Sequence, residues 1–228
     1  MSDDAYNDAM TAKTAIERLI KISTIDKSPL LAVGVTLPDL PFNAPAKHWD
    51  LYDRFSINAP SLHTVIHGLS YDGSGWGELK NYSDIALKTK KLDDAKTREL
   101  IPGYPASVSY MDAQVGRVIN ALETSGLVQN TIIVLWGDHG YYLGDYGEWC
   151  KHTTYEVAAK VPLIIASPQL KGGQRTSALT ALVDLFPTLC DLSAVPVPPP
   201  LHGVSLKPVI QDPAIQCKEA VLSQYSNN

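Results

Sequence analysis

Thr131-Ile132-Ile133-Val134-Leu135-Trp136-Gly137-Asp138-His139-Gly140 is the stretch whose reading decides the fold, and a few residues later the chain continues Gly147-Glu148-Trp149-Cys150-Lys151-His152. Ile132, Ile133, Val134 and Leu135 form a short apolar, β-branched run between Asn130 and Gly137, the pattern of a buried strand. In open α/β sheets ligands gather beyond the carboxyl ends of strands, and Asp138 and His139 stand at that edge. Successive strand side chains point to opposite faces, so Gly137 and Gly140 are expected to free the backbone and bring both groups to one point. A carboxylate suits hard cations and an imidazole suits zinc or another borderline metal, so the pair reads as a metal site without choosing the metal. Lys151 could supply a cation for an anionic substrate oxygen. On residue types alone, an ordinary strand-to-loop turn accounts for the pair equally well, with Asp138 capping a helix and His139 on the surface.

Outward from this stretch, helix and strand patterns alternate. Upstream, Val108, Met111, Val115, Val118, Ile119 and Leu122 predict an amphipathic helix over 107–124, with Gly126 as its stop. Downstream, 161–166 reads as another strand, and right-handed crossovers would place it parallel to 131–136. Residues 4–22 read as a helix with Ala9, Ala12, Ile16, Leu19 and Ile20 on one face, and 30–35 as a strand ended by Pro38 and Pro41. Residues 39–98 are polar and rich in turn signals, a long connection with short helical pieces. His48, His63 and His67 lie there. The i, i+4 spacing of His63 and His67 could chelate a metal on a helix, but no third ligand accompanies them and they read as surface histidines. Residues 182–191 predict a helix started or broken near Pro187, 195–200 an extended polyproline-like connector, and 220–225 a further strand.

The whole chain sets limits. Its 228 residues, 45% of them hydrophobic, suffice for one sizeable core or two small ones. A net charge of -5 lacks the basic footprint of a nucleic-acid binder. No apolar run approaches the ~18 residues of a membrane span, and the acidic start lacks the pattern of a signal peptide. Cys150, Cys190 and Cys217 are widely spaced and form neither a disulfide framework nor a zinc knuckle, and Cys190 reads as a small buried hydrophobe.

Several segments together resemble the type I sulfatases, especially the iduronate-2-sulfatase group. They are 104–119, Asp138-His139-Gly140, Gly147-Glu148-Trp149-Cys150-Lys151, 161–164, 184–189, 201–206 and Ser223-Gln224-Tyr225. The resemblance covers most of the chain, densely from residue 100 to 225. It implies an α/β fold, an alkaline-phosphatase/sulfatase-like mixed sheet flanked by helices, here expected to be incomplete at both ends. The expected organisation is one partial sulfatase domain over 1–228. Within it, 1–100 holds a helix, a strand and a long loop, 101–192 the α/β core with the metal-site loop, and 193–228 the start of a C-terminal region.

The resemblance also implies a chemistry, hydrolysis of a sulfate ester on a sulfated sugar or glycosaminoglycan at a divalent cation, usually Ca2+. By motif position Asp138 and His139 would be metal ligands, and Lys151 would contact the sulfate group or the leaving oxygen. Cation and lysine would stabilise charge developing on the substrate oxygens. Relatives of this kind work in lysosomes, in the periplasm or outside cells.

Two departures from the family pattern stand beside the match. The nucleophile of the family is a formylglycine made within Cys-x-Pro-Ser-Arg, and that motif is absent from residues 1–228, so a formylglycine cannot form in this chain. Residues 30–42 correspond to the segment that ends in Pro-His-x-Pro, but the histidine position is Asp39, a carboxylate that would repel a sulfate. The leading expectation is therefore a sulfatase piece inactive by itself. The alternatives are a non-catalytic binder of sulfated glycans or of a partner protein, and a related phosphoester hydrolase. Uncovered strands would favour self-association.

Overall fold

The computed structural model describes residues 3–53, 75–82, 85, 92 and 94–225. In chain order these carry α1 (Asn7–Ile22), α2 (Ala46–Trp49), α3 (Gly75–Leu79), α4 (Asp94–Thr124), β1 (Ile133–Trp136), β2 (Tyr142–Leu143), β3 (Trp149–Cys150), α5 (Glu156–Ala159), β4 (Leu163–Ala166), α6 (Leu185–Leu192) and α7 (Lys207–Gln211). The chain divides into two compact units, one of residues 1–128 and 141–153, the other of 129–140 and 154–228. His63 and His67 lie outside the described residues.

In the first unit α1 packs on α4. The buried line of α1 is Asp8, Ala9, Ala12, Ala15 and Leu19, whereas Ile20 is exposed. Small alanines let two helix backbones approach closely, so the packed face is turned away from the one the larger Ile16 and Ile20 had marked. Asp8 is the buried polar member of that line. Its carboxylate accepts hydrogen bonds from the Thr36 N–H at 2.9 Å, the Thr36 hydroxyl at 2.8 Å and the Leu37 N–H at 3.2 Å. Residues 36 and 37 are thereby tied to α1, and the segment 30–35, expected as a strand, joins no ladder among the described residues.

Helix α4 begins thirteen residues before the predicted start, at Asp94, and runs through Pro102 and Pro105. Each internal proline removes an N–H donor and works against the helix. Burial of Leu100, Ile101, Ala106 and Tyr110 along the same stretch opposes that cost. Its buried line passes through Ala106, Ser107, Tyr110 and Gln114, while Val108, Met111 and Val115 are only partly buried. Gly126 follows the helix with φ of 74°, the left-handed turn expected of a C-terminal glycine. The main core of the unit gathers Phe42, Leu79, Ile85, Leu92, Leu100, Ile101, Trp149 and Cys150. Trp149 and Cys150 are β3, paired antiparallel with β2.

In the second unit β1 pairs with β4, and the pairing is antiparallel, from Ile133 opposite Ala166 to Trp136 opposite Leu163. This corrects the parallel expectation. A chain that leaves β1 and enters β4 at the same edge needs no crossover along the sheet, so the handedness rule does not apply. Nor is β1 buried, because Leu135, Trp136 and Ile164 are exposed on this two-stranded sheet. Helix α6 starts just before Pro187, which sits in the first turn, where its missing N–H breaks no intrahelical bond. The stretch 220–225, expected as a strand, joins no ladder among the described residues.

Asp184, 0% exposed, organises this unit. It accepts the Ala181 N–H at 2.8 Å and the Val204 N–H at 2.9 Å, and Lys218 Nζ donates to both of its oxygens at 2.7 and 2.6 Å. One helical turn on, the Thr188 hydroxyl donates to the Asp184 carbonyl and accepts the Leu206 N–H. Burial alone would raise the Asp184 pKa, but the Lys218 hydrogen bond and the two backbone N–H groups outweigh it and hold the carboxyl below its ordinary range.

Two consequences can be measured. Asp8→Ala strips acceptors from two backbone N–H groups and should cost about 2 kcal/mol, seen as faster hydrogen exchange at the Thr36 and Leu37 amides. Asp184→Asn leaves Lys218 without its counter-charge and should cost the second unit about 3 kcal/mol in urea denaturation. Because the folded Asp184 pKa is depressed, its contribution is present above the ordinary carboxylate range and lost as pH falls through the folded value.

Candidate functional site

Lys151 follows β3 directly, and β3 is anchored by Trp149 at 2% and Cys150 at 0% exposure. Cys150 has φ of 67°, a left-handed conformation strained for a residue with a side chain, so the backbone turns sharply just before the lysine. Burial pushes the Cys150 thiol up to about 12, which leaves it a packing group at neutral pH.

The Lys151 ammonium sits between two carboxylates. It pairs with Asp39 and donates to Glu78 Oε1 at 2.9 Å. The second Glu78 oxygen lies 2.6 Å from His152 Nε2. Asp39 is positioned by its own backbone, since its Oδ1 accepts the Leu40 N–H at 2.9 Å. Glu78 is positioned by α3, whose Leu79 is fully buried in the main core and which packs on β3. Burial disfavours the charge on Lys151, but hydrogen bonds and attraction from Asp39 and Glu78 prevail, and its pKa is raised above the ordinary lysine range. Stability from this pairing is thus present below the ordinary lysine pKa and lost only as pH rises through the folded value. Tyr82 and Tyr104 flank the cluster. Burial raises both phenol pKa values, and the negative charge of Asp39 adds to each.

Of the residues expected at the site, Lys151 and Asp39 are brought into contact. Glu78 and His152 were not foreseen. Residues 39–98 read only as a long polar connection with short helical pieces. Residues 75–77 in fact open α3 and carry Glu78 one position further on, while 73 and 74 lie outside the described residues. The available signal was a glutamate beside an apolar residue in a turn-rich stretch, which is too common to single out.

In the second unit Asp138 and His139 form a bend one residue after the end of β1. Asp138 Oδ1 accepts the His139 N–H at 3.0 Å, and Oδ2 lies 3.7 Å from His139 Nε2. His139 Nδ1 is 2.9 Å from the Gly140 carbonyl. A carbonyl only accepts, so Nδ1 carries the proton and the lone pair of a neutral ring falls on Nε2, the arrangement common in metal-binding histidines. Gly140 acts by close approach. A Cβ there would lie 1.9 Å from the Val157 carbonyl oxygen, and the Gly140 N–H donates to the Ala158 carbonyl at 2.7 Å. Asp138, with its side chain 84% exposed, caps no helix. One oxygen donor and one nitrogen donor thus share a bend and fit a divalent cation as two of its ligands. Among the described residues no group of three or more His, Cys, Asp or Glu gathers into a metal cage.

Comparison with known proteins supports the family resemblance carried by the sequence motifs. A family model described as Sulfatase matches residues 8–195. The iduronate 2-sulfatase of Mus musculus is 33% identical over 223 residues, covering 84% of this chain and 40% of that protein. The N-acetylglucosamine-6-O-sulfatase of Bacteroides thetaiotaomicron is 37% identical over 143 residues, covering 62% of this chain and 26% of that protein. A phosphonate monoester hydrolase from Silicibacter pomeroyi superposes with a TM-score of 0.78 at 26% identity, covering 96% of this chain and 44% of the other. The chain therefore spans less than half the length of these relatives. Sulfatases generally use a divalent cation, and their alkaline-phosphatase-like fold of mixed helix and strand is the one found here. The chain belongs to the sulfatase family.

Proposed function

We propose that this chain supplies part of the active site of a sulfuric ester hydrolase acting on a sulfated sugar of the glycosaminoglycan kind, close in type to iduronate-2-sulfate. Asp138 and His139 hold a divalent cation, calcium in this reading, and Lys151 meets an oxygen of the sulfate group. The observation that carries the proposal is the Asp138–His139 bend at the end of β1, with two donor atoms 3.7 Å apart, in a chain whose residues 8–195 match the sulfatase family.

A bound cation would supply Lewis-acid stabilisation of negative charge on the sulfate oxygens. Asp138 and His139 Nε2 are the ligands this chain offers it. Lys151 is a charged donor whose backbone position is set by the buried β3, and its ammonium has to leave the Asp39 carboxylate to meet an oxygen on which charge develops. The nucleophile of such a reaction is not among these residues, because Cys-x-Pro-Ser-Arg does not occur in them. A second reading, non-catalytic binding of a sulfated glycan, is favoured by one observation, the pairing of Asp39 with the lysine that would meet the sulfate.

Titration of a sulfated disaccharide into the chain should move the Lys151 side-chain NMR signals at millimolar ligand, with no turnover, and Lys151→Ala should abolish binding. Steady hydrolysis by the chain alone, lost in Lys151→Ala, would overturn the placement of the nucleophile outside these residues. Calcium takes ~6–8 oxygen ligands, so two donors give weak affinity. Millimolar calcium should leave the melting temperature of the chain unchanged, and a clear upward shift would show a fuller cage than Asp138 and His139 provide.

A further inference from the structure

The turn that joins β2 to β3 holds one residue in a conformation its type resists. Two of its left-handed positions are glycines, Gly144 with φ of 104° and Gly147 with φ of 81°, and between them stands Tyr146, with φ of 56° and ψ of 17°. Left-handed backbone brings the Cβ of an L-residue close to a carbonyl oxygen, a crowding that glycine or asparagine tolerates and a bulky residue does not. Such a residue persists only where its surroundings over-determine it. Around Tyr146 the backbone is cross-braced. The Gly144 N–H donates to the Glu148 carbonyl at 2.9 Å, the Gly147 N–H to the Gly144 carbonyl at 3.0 Å and the Glu148 N–H to the Asp145 carbonyl at 2.9 Å, while Asp145 Oδ2 accepts the Leu143 N–H at 3.2 Å.

What the strain secures is exposure rather than burial. Tyr146 is 43% exposed and is the one exposed residue from 141 to 150. An aromatic ring held out to water by a braced turn offers a large contact area and a hydroxyl with little conformational freedom left to lose. A sugar ring presents a face of C–H groups rimmed by hydroxyls, which matches the apolar face and polar tip of a phenol. The chain carries a net charge of -5, so its overall field does not draw an anion in, and a sulfated glycan gains from contacts that carry no charge.

Tyr146 and Lys151 belong to the same unit and are five residues apart, so their Cα atoms lie no more than about 18 Å from each other. An oligosaccharide bound by its sulfate at Lys151 spans such a distance, whereas a lone sulfate ester does not. We propose that Tyr146 is a substrate-binding residue, a platform on which a sugar ring adjoining the sulfated one stacks. This rests on the reading above that Lys151 meets the sulfate group.

The test titrates a heparin-derived tetrasaccharide and, separately, methyl sulfate into the chain, read from the Lys151 side-chain resonances, assigned by their loss in Lys151→Ala. Tyr146→Asn removes the ring and suits the left-handed turn, and Tyr146→Phe keeps the ring. The tetrasaccharide should lose about tenfold in affinity in Tyr146→Asn and stay within about twofold of the parent in Tyr146→Phe, while methyl sulfate binds parent and variants alike. The melting temperature of Tyr146→Asn should equal or exceed that of the parent, because the strain is relieved. Equal tetrasaccharide affinity in the parent and Tyr146→Asn would overturn the platform and leave Lys151 as the sulfate contact. A loss in Tyr146→Asn matched by an equal loss for methyl sulfate, or accompanied by a fall of several degrees in melting temperature, would assign the ring to packing instead. If neither ligand moved the Lys151 resonances in the parent, both this inference and the reading of Lys151 beneath it would fall.

Discussion

Burial of Trp149 and Cys150 is the constraint on which the first unit depends. Two residues of strand are too few to hold themselves by a ladder, so β3 is held by what it packs against, namely Phe42, Leu79, Leu100 and Ile101. Those partners come from three separate stretches of the chain. Once they close around β3, the position of the next residue is no longer free, and the next residue is Lys151. Leu79 does this for Glu78 as well, and Leu40, packed against the same core, is the neighbour of Asp39. The ion cluster is thus an edge of the hydrophobic core, with each charged side chain one position away from an apolar residue that the core holds.

The second unit uses a buried carboxylate where the first uses aromatic packing. Asp184 accepts two backbone N–H groups and an ammonium, and Thr188, one turn later, takes a third N–H. These bonds explain why 184–189 and 201–206 stand out together in the sequence. The helix start carries the acceptors and the later segment carries the donors. Neither could be satisfied in a dry environment without the other. A two-stranded sheet with exposed Trp136 and Ile164 adds little burial, so the polar grip around Asp184 has a large share in defining this unit.

The two halves of the proposed chemistry differ in how far each is built. Asp138 and His139 are adjacent in sequence and need only a bend and one carbonyl, that of Gly140, to choose the donor nitrogen. Lys151 needs long-range partners, 112 and 73 residues away at Asp39 and Glu78. Those partners are negative, and this sets the character of the position.

What could be read from the sequence by itself was local or carried by motif. The run into Asp138-His139-Gly140, the helix over 107–124 and its glycine stop, the start of α6 at Pro187 and the membership signalled by the Gly147–Lys151 stretch all depend on residues near one another in the chain. The anomaly at Asp39 was legible too, because it breaks a short motif. Only the tertiary structure could show that Asp39 closes on Lys151, that Glu78 completes the pair, that α1 packs through its alanines and that β1 and β4 run antiparallel. Each of those outcomes is decided by which distant surface buries which residue. Periodicity records the apolar face of an element but not the partner that will cover it, and charge along a sequence does not reveal which opposite charge folding will bring beside it.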